Sequence, residues 1–101
     1  MTEVIVSPQA EADLLKLSTR IASAAGAETA ERFIDKIVVI VRKLAAVPRA
    51  AGHPVPQLGR GLRCHAIGKY NAYIRFDDKS DILYLVRVLH GRRNIQRKHF
   101  S

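Results

Sequence analysis

The hydrophobic pattern of this chain changes period once, and that change restricts the folds open to it. Before the Pro/Gly-rich stretch of residues 48–61 the apolar residues recur at helical spacing; after it they alternate. Leu14, Leu17, Ile21 and Ala25, with Ala10 and Ala24 alongside, mark a first helix. Ser7-Pro8 supplies its start, with Ser as cap and Pro where a missing N–H is no loss, and Gly26 supplies its end. A second helix follows from about residue 28 to 46. Its two stripes, Phe33, Ile37, Ile40, Leu44 and Ile34, Val38, Val41, Ala45, merge at about 100° per residue into a face roughly 160° wide. A face that wide touches both the first helix and a sheet. Glu3–Val6 is short and β-branched and reads as a strand, and residues 62–67, 70–77 and 81–90 read as three more. The expected fold is α+β, in the order β-α-α-β-β-β, with an N-terminal strand and a helical hairpin packed on an antiparallel sheet. A chain of 101 residues carries one such core, so 1–101 is a single domain.

Strict alternation assigns the sheet faces. Leu62, Cys64, Ala66, Ala72, Ile74, Phe76, Ile82, Tyr84, Val86 and Val88 are expected under the helices. Arg63, His65, Asn71, Tyr73, Arg75, Leu83, Leu85, Arg87 and Leu89 are expected on the other face, where the leucines form an exposed apolar patch of the kind that marks a contact site. The alternative is a central last strand with the tail folded back over those leucines.

Charge singles out the same half of the chain. Residues 1–59 carry seven Lys/Arg and six Asp/Glu, whereas residues 60–101 carry ten against three, and so hold most of the net +8. Such a concentration favours an anionic partner. The single Cys64 excludes an internal disulfide and a multi-cysteine metal cage and points to a reducing compartment. No run is long enough to span a membrane, and the N-terminus lacks the basic start of a signal peptide, so the cytoplasm is expected. There is no phosphate-binding glycine loop, CxxC, HExxH or nucleophile elbow. No metal and no cofactor is expected.

The remaining candidates are Arg63, Arg75, Arg87, His65, His90, Arg92 and Arg93. Arginine forks suit phosphate or carboxylate. RNA cleavage would also need a general acid and base. The last Glu is Glu31, and only Tyr73 among the tyrosines is expected on the basic face. His65 and His90 are the pair left for that work, and packing or backbone contacts are the preferred account of both.

The sequence resembles the ParE branch of the RelE/ParE toxin superfamily. The resemblance is carried by Ser-Pro-Gln-Ala-Glu-Ala-Asp-Leu at residues 7–14, Ala30-Glu31-Arg32-Phe33-Ile34, the run from Leu44 to Pro48 with Gly52, Gly61-Leu62-Arg63, and Arg87-Val88-Leu89-His90-Gly91-Arg92-Arg93. It implies a toxin of a type II toxin–antitoxin pair, neutralised by a ParD-like antitoxin with an acidic, flexible C-terminal segment. ParE-type toxins are understood to poison DNA gyrase, and RelE-type relatives cut messenger RNA on the ribosome. Arg63 and Arg87 match positions basic in both branches. The tyrosine that RelE-type catalysis commonly uses near the C-terminus is not met, since residues 91–101 hold His99 and Phe100 but no Tyr. The resemblance therefore implies a non-enzymatic gyrase inhibitor with Arg63, Arg87, His90, Arg92 and Arg93 at the target surface. The antitoxin is expected over Tyr73, Arg75, Leu83 and Leu85, over the outside of the hairpin, or over both. A ribosome-dependent ribonuclease using Arg63, Arg87, His65 and His90, or a non-toxic relative that only binds antitoxin, are the alternatives. Direct nucleic-acid binding is not expected without a protein partner.

Overall fold

The structure, a computed structural model, describes residues 1–100. In chain order it forms β1 (Glu3–Val6), α1 (Pro8–Ala25), α2 (Ala27–Ala46), β2 (His53–Pro54), β3 (Leu62–Ile67), β4 (Tyr70–Asp77), β5 (Ile82–His90) and a terminal 3-10 turn (Arg97–Phe100). The expected α+β order holds, with the two-residue β2 added inside the connection. Ser7 caps α1 as expected: its Oγ accepts the Ala10 N–H at 3.0 Å. The same hydroxyl donates to the Val86 carbonyl at 2.7 Å, which ties the helix start to β5. Gly26, at φ +95°, both ends α1 and precedes α2, so the hairpin turns on a single residue whose backbone disfavours a side chain.

The five strands form one sheet in the order β1-β5-β4-β3-β2, with β1 parallel to β5 and the other pairs antiparallel. The main core lies between this sheet and the hairpin, where Ile37, Val41 and Leu44 of α2 and Leu17 of α1 meet Ala72, Ile74, Leu83, Leu85 and Val88. A second cluster lies on the opposite face. There Leu62, Cys64, Tyr73 and Leu89 are covered by Val55 and Leu58 of the connection and by Ile95 and Phe100 of the tail. Among the described residues, no helix is long and apolar enough to cross a membrane.

These positions correct the expected faces. Leu62 and Cys64 turn away from the helices, and Ile82, Tyr84 and Val86 do not line the helix-facing core. Leu83 and Leu85 take that side instead, at 0% and 2% exposure, so they make no exposed patch. Ala72, Ile74 and Val88 lie under the helices as expected. The physical reason is pairing parity. The two-residue loop Gly68-Lys69 sets Ile67 opposite Tyr70 and Cys64 opposite Tyr73. Opposed residues share a face, so even-numbered residues of β3 accompany odd-numbered ones of β4. Between β4 and β5, Ile74 pairs with Leu85 but Tyr73 pairs with Arg87, which leaves Val86 as an extra residue in a bulge. Parity therefore differs on the two sides of Val86. β5 is also central, flanked by β1 and β4 along Ile82–Leu85, with apolar layers on both faces.

Candidate functional site

The β5 bulge organises the region around Arg87. β1 ends opposite Leu85, so beyond that point the outer edge of β5 is met by α1 instead of a strand. Asp13 of α1 accepts the Val88 N–H at 3.1 Å and a bidentate pair from Arg87, Nε to Oδ2 at 2.7 Å and Nη2 to Oδ1 at 2.8 Å. The side chains are only 16% and 9% exposed, so this is a desolvated pair. Hydrogen bonding to Asp13 holds the Arg87 guanidinium charged more firmly than an exposed arginine, against the opposing effect of burial. Its remaining Nη1 donates to the His99 carbonyl at 2.9 Å, which pins the tail. Arg87 is thus occupied on all sides.

The other strand arginines are held in the same manner. Arg63 donates from Nε to the Ala51 carbonyl at 2.5 Å and from Nη2 to the Gly52 carbonyl at 3.0 Å. It faces the helix side, opposite Ile74, and fastens the segment that leaves α2. Gly52 is required there: φ is +65°, and a Cβ would lie 2.6 Å from the Cys64 carbonyl oxygen. Arg75 donates from Nε to the Arg60 carbonyl at 3.1 Å. The expected row of free arginines on one face is corrected to three clamps, each holding a covering segment to the sheet. Their partners are backbone carbonyls and one carboxylate from distant parts of the chain, and no local motif announces them.

The remaining predicted residues are spread over three places. Tyr73 is 3% exposed beneath Phe100, at 4.8 Å between ring centres, and burial pushes its hydroxyl upward in pKa. Leu83 and Leu85 are buried under the helices and Tyr73 under the tail, so of the four residues expected to meet the antitoxin only Arg75 keeps exposure. His65 pairs with Ala72 and His90 with Tyr70, which puts the two histidines on different strands with β4 between them. Neighbouring strands lie about 4.8 Å apart, so their backbones are roughly 10 Å from one another. His90 packs edge-on against Tyr70 at 5.2 Å, Tyr70 against Phe33 at 5.3 Å, and the His90 Nδ1 accepts the Arg92 N–H at 3.0 Å. Arg92 and Arg93 are exposed in the turn after β5. Among the described residues, no three His, Cys, Asp or Glu side chains gather where a metal could be held.

Concave features open to solvent among the described residues include two that bear on binding. One is an apolar groove of about 610 Å³ between the free edge of β1 and the hairpin, lined by Val4, Val6, Leu14, Val38, Val41 and Ala45, with Arg42 at its side. The other is a cleft of about 220 Å³ between α1 and the end of β5, where Lys16 and Arg20 face His90 and Arg93. Lys16 and Arg20 are absent from the sequence-based candidates because a charged face on an amphipathic helix is usually just its solvated side.

The model of the family described as the ParE toxin of type II toxin–antitoxin system, parDE, matches residues 4–95. Among solved structures, the chain is similar to one from the chromosomal ParDE toxin–antitoxin system of P. aeruginosa. That structure is 22% identical, with a TM-score of 0.76 over 89% of this chain and 96% of that one. The chain is also similar to one in the toxin–antitoxin complex RelBE2 from Mycobacterium tuberculosis. There the identity is 26% and the TM-score 0.64, over 88% of this chain and 96% of that one. No curated protein matches the chain. The order of elements, the sheet and a family match that takes in all five strands and both long helices lead to one conclusion: the chain belongs to the family of ParE toxins of type II toxin–antitoxin systems.

Proposed function

We propose that this toxin acts in the cytoplasm by binding DNA gyrase, without cleaving RNA, and that a ParD-like antitoxin neutralises it. The observation that carries the reading is the fate of the residues a ribonuclease would need. Arg63 and Arg87 are committed to internal partners, and His65 and His90 lie on separate strands. Phosphoryl chemistry needs an acid and a base converging on one phosphate with free cations beside them. The surface left for a target is the exposed turn with Arg92 and Arg93 beside His90.

The antitoxin is placed in the apolar groove. Val38, Val39 and Val6 are exposed there or next to it, at 41%, 50% and 37%, and β1 offers an unpaired strand edge. An acidic amphipathic segment would cover the valines, pair its charge with Arg42 and lie along β1. The decisive experiment is a supercoiling assay with gyrase, free toxin, and toxin with its antitoxin. Inhibition or cleaved-complex accumulation that the antitoxin relieves is expected; none at any toxin concentration would refute the reading. The similarity to the RelBE2 structure keeps the ribosome-dependent ribonuclease as the second reading. Codon-phased cuts in messages after induction, abolished by His65→Ala or His90→Ala, would establish it.

A further inference from the structure

Contrary to the expectation that nucleic acid is bound only through a protein partner, we propose that the cleft between α1 and the end of β5 is a binding site for the phosphodiester backbone of duplex DNA. Lys16 and Arg20 stand one helical turn apart on α1 and line one wall; Arg93, from the turn after β5, lines the other. All three are exposed, and none has a carboxylate partner among the described residues. The single acid in the lining, Asp13, is already neutralised by Arg87 and bonded by the Val88 N–H. Three like charges around one small cleft repel each other, and an anion between them removes that cost.

The cleft also limits what kind of anion it takes. At about 220 Å³ it is smaller than the roughly 300–1,000 Å³ that whole small-molecule ligands occupy, so it suits a group projecting from a larger molecule. Its apolar lining, Leu17, Val88 and Leu89, is buried at 6%, 4% and 3% exposure, so an acidic protein segment would find charge but no apolar anchor. Tyr70 is wedged between Phe33 and His90, which leaves its ring committed and not free to stack a base. The His90 Nδ1 accepts from Arg92, so the neutral ring carries its proton on Nε2 and can donate to a phosphate oxygen. Lys69, whose carbonyl accepts the Gly91 N–H at 2.8 Å, and Arg92 extend the positive surface past the cleft, as a backbone running through it would require.

The test contains no gyrase, so it can fail or succeed apart from the gyrase reading. Full-length toxin freed from antitoxin is titrated by fluorescence anisotropy against a labelled duplex of about 20 bp, two helical turns. Single-stranded RNA of the same length and a glutamate-rich peptide are the comparison probes. The triple variant Lys16→Gln, Arg20→Gln, Arg93→Gln is compared with Arg32→Gln, Lys36→Gln, Lys43→Gln, which removes equal charge from α2. A weakening of about tenfold or more in duplex affinity is expected for the cleft variant alone. Its salt slope should fall by about 2–3, near 0.9 for each phosphate that the protein no longer neutralises. Arg93→Gln by itself, in a turn outside both helices, should lower the slope by about one and guards against misfolding of the triple. Equal weakening in the two triple variants, no duplex binding by the wild type, or tighter binding of RNA or peptide at this cleft would each overturn the proposal.

Discussion

Replacing Asp13 by Ala removes the acceptor of three hydrogen bonds at once, two from Arg87 and one from the Val88 N–H. The Arg87 side chain is only 16% exposed and would keep just the His99 carbonyl. Breaking a buried ion pair by removing one partner costs about 3–5 kcal/mol, and a stranded N–H adds about 1–3. The tail that covers Arg87 lies at the surface and can admit water, so the lower part of that sum applies, about 4 kcal/mol. For a domain with roughly 5–15 kcal/mol of stability this is a large fraction, and the urea midpoint should fall by more than about 1 M. Urea melts followed by circular dichroism on wild type, Asp13→Ala, Arg87→Ala and the double variant complete a cycle. The coupling energy should be about 2–3 kcal/mol and change little with added salt, because a desolvated pair is weakly screened. Asp13→Asn, which keeps an oxygen for the Val88 N–H, should lose less than Asp13→Ala. A loss below about 1 kcal/mol for Asp13→Ala, or a coupling below about 0.5, would refute the clamp as an energetic unit.

Three further predictions concern Cys64 and the glycine that packs against its backbone. Burial pushes the Cys64 thiol up, with a hydrogen bond to Tyr73 opposing, so the native thiol should resist alkylating reagents until the chain unfolds. The unfolded thiol ionises while the native one still holds its proton. Stability should therefore fall as pH rises past the ordinary thiol range of about 8.5, as a drop in urea midpoint between about pH 7 and 10; an unchanged midpoint would contradict it. Gly52→Ala should cost about 2–3 kcal/mol, from a strained positive φ and a Cβ driven against the Cys64 carbonyl, and a melting temperature equal to wild type would contradict that.

The parts of the molecule legible in the sequence are those set by local rules. Ser7-Pro8 and Gly26 mark the ends of α1 because capping and positive φ act within a few residues. The wide stripe of α2 is buried along Ile37, Val41 and Leu44 as its spacing requires. Period two announces β3 and β4, the apolar run from residue 82 marks β5, and the basic bias of residues 60–101 is visible by counting. The candidate site was less legible. His90 and Arg93 do face the basic cleft, but Lys16 and Arg20 opposite them come from a helix read only as half-polar.

Which side of the sheet each strand residue occupies was decided by tertiary structure, because alternation gives only relative sides within one strand. The sides of different strands are tied together by hairpin register and by the single extra residue at Val86, and either one reverses the assignment. In this way Leu83 and Leu85 pass from an expected docking patch into the core. The arginines show the same limit: the sequence by itself determined that they are present and charged, and the fold chose their partners. Asp13 lies 74 residues from Arg87, and only the end of β1 opposite Leu85 and the start of α1 beside the bulge bring the two together. A cation's role depends on whether an acceptor is within about 3 Å, and that distance is set by packing, not by position in the chain.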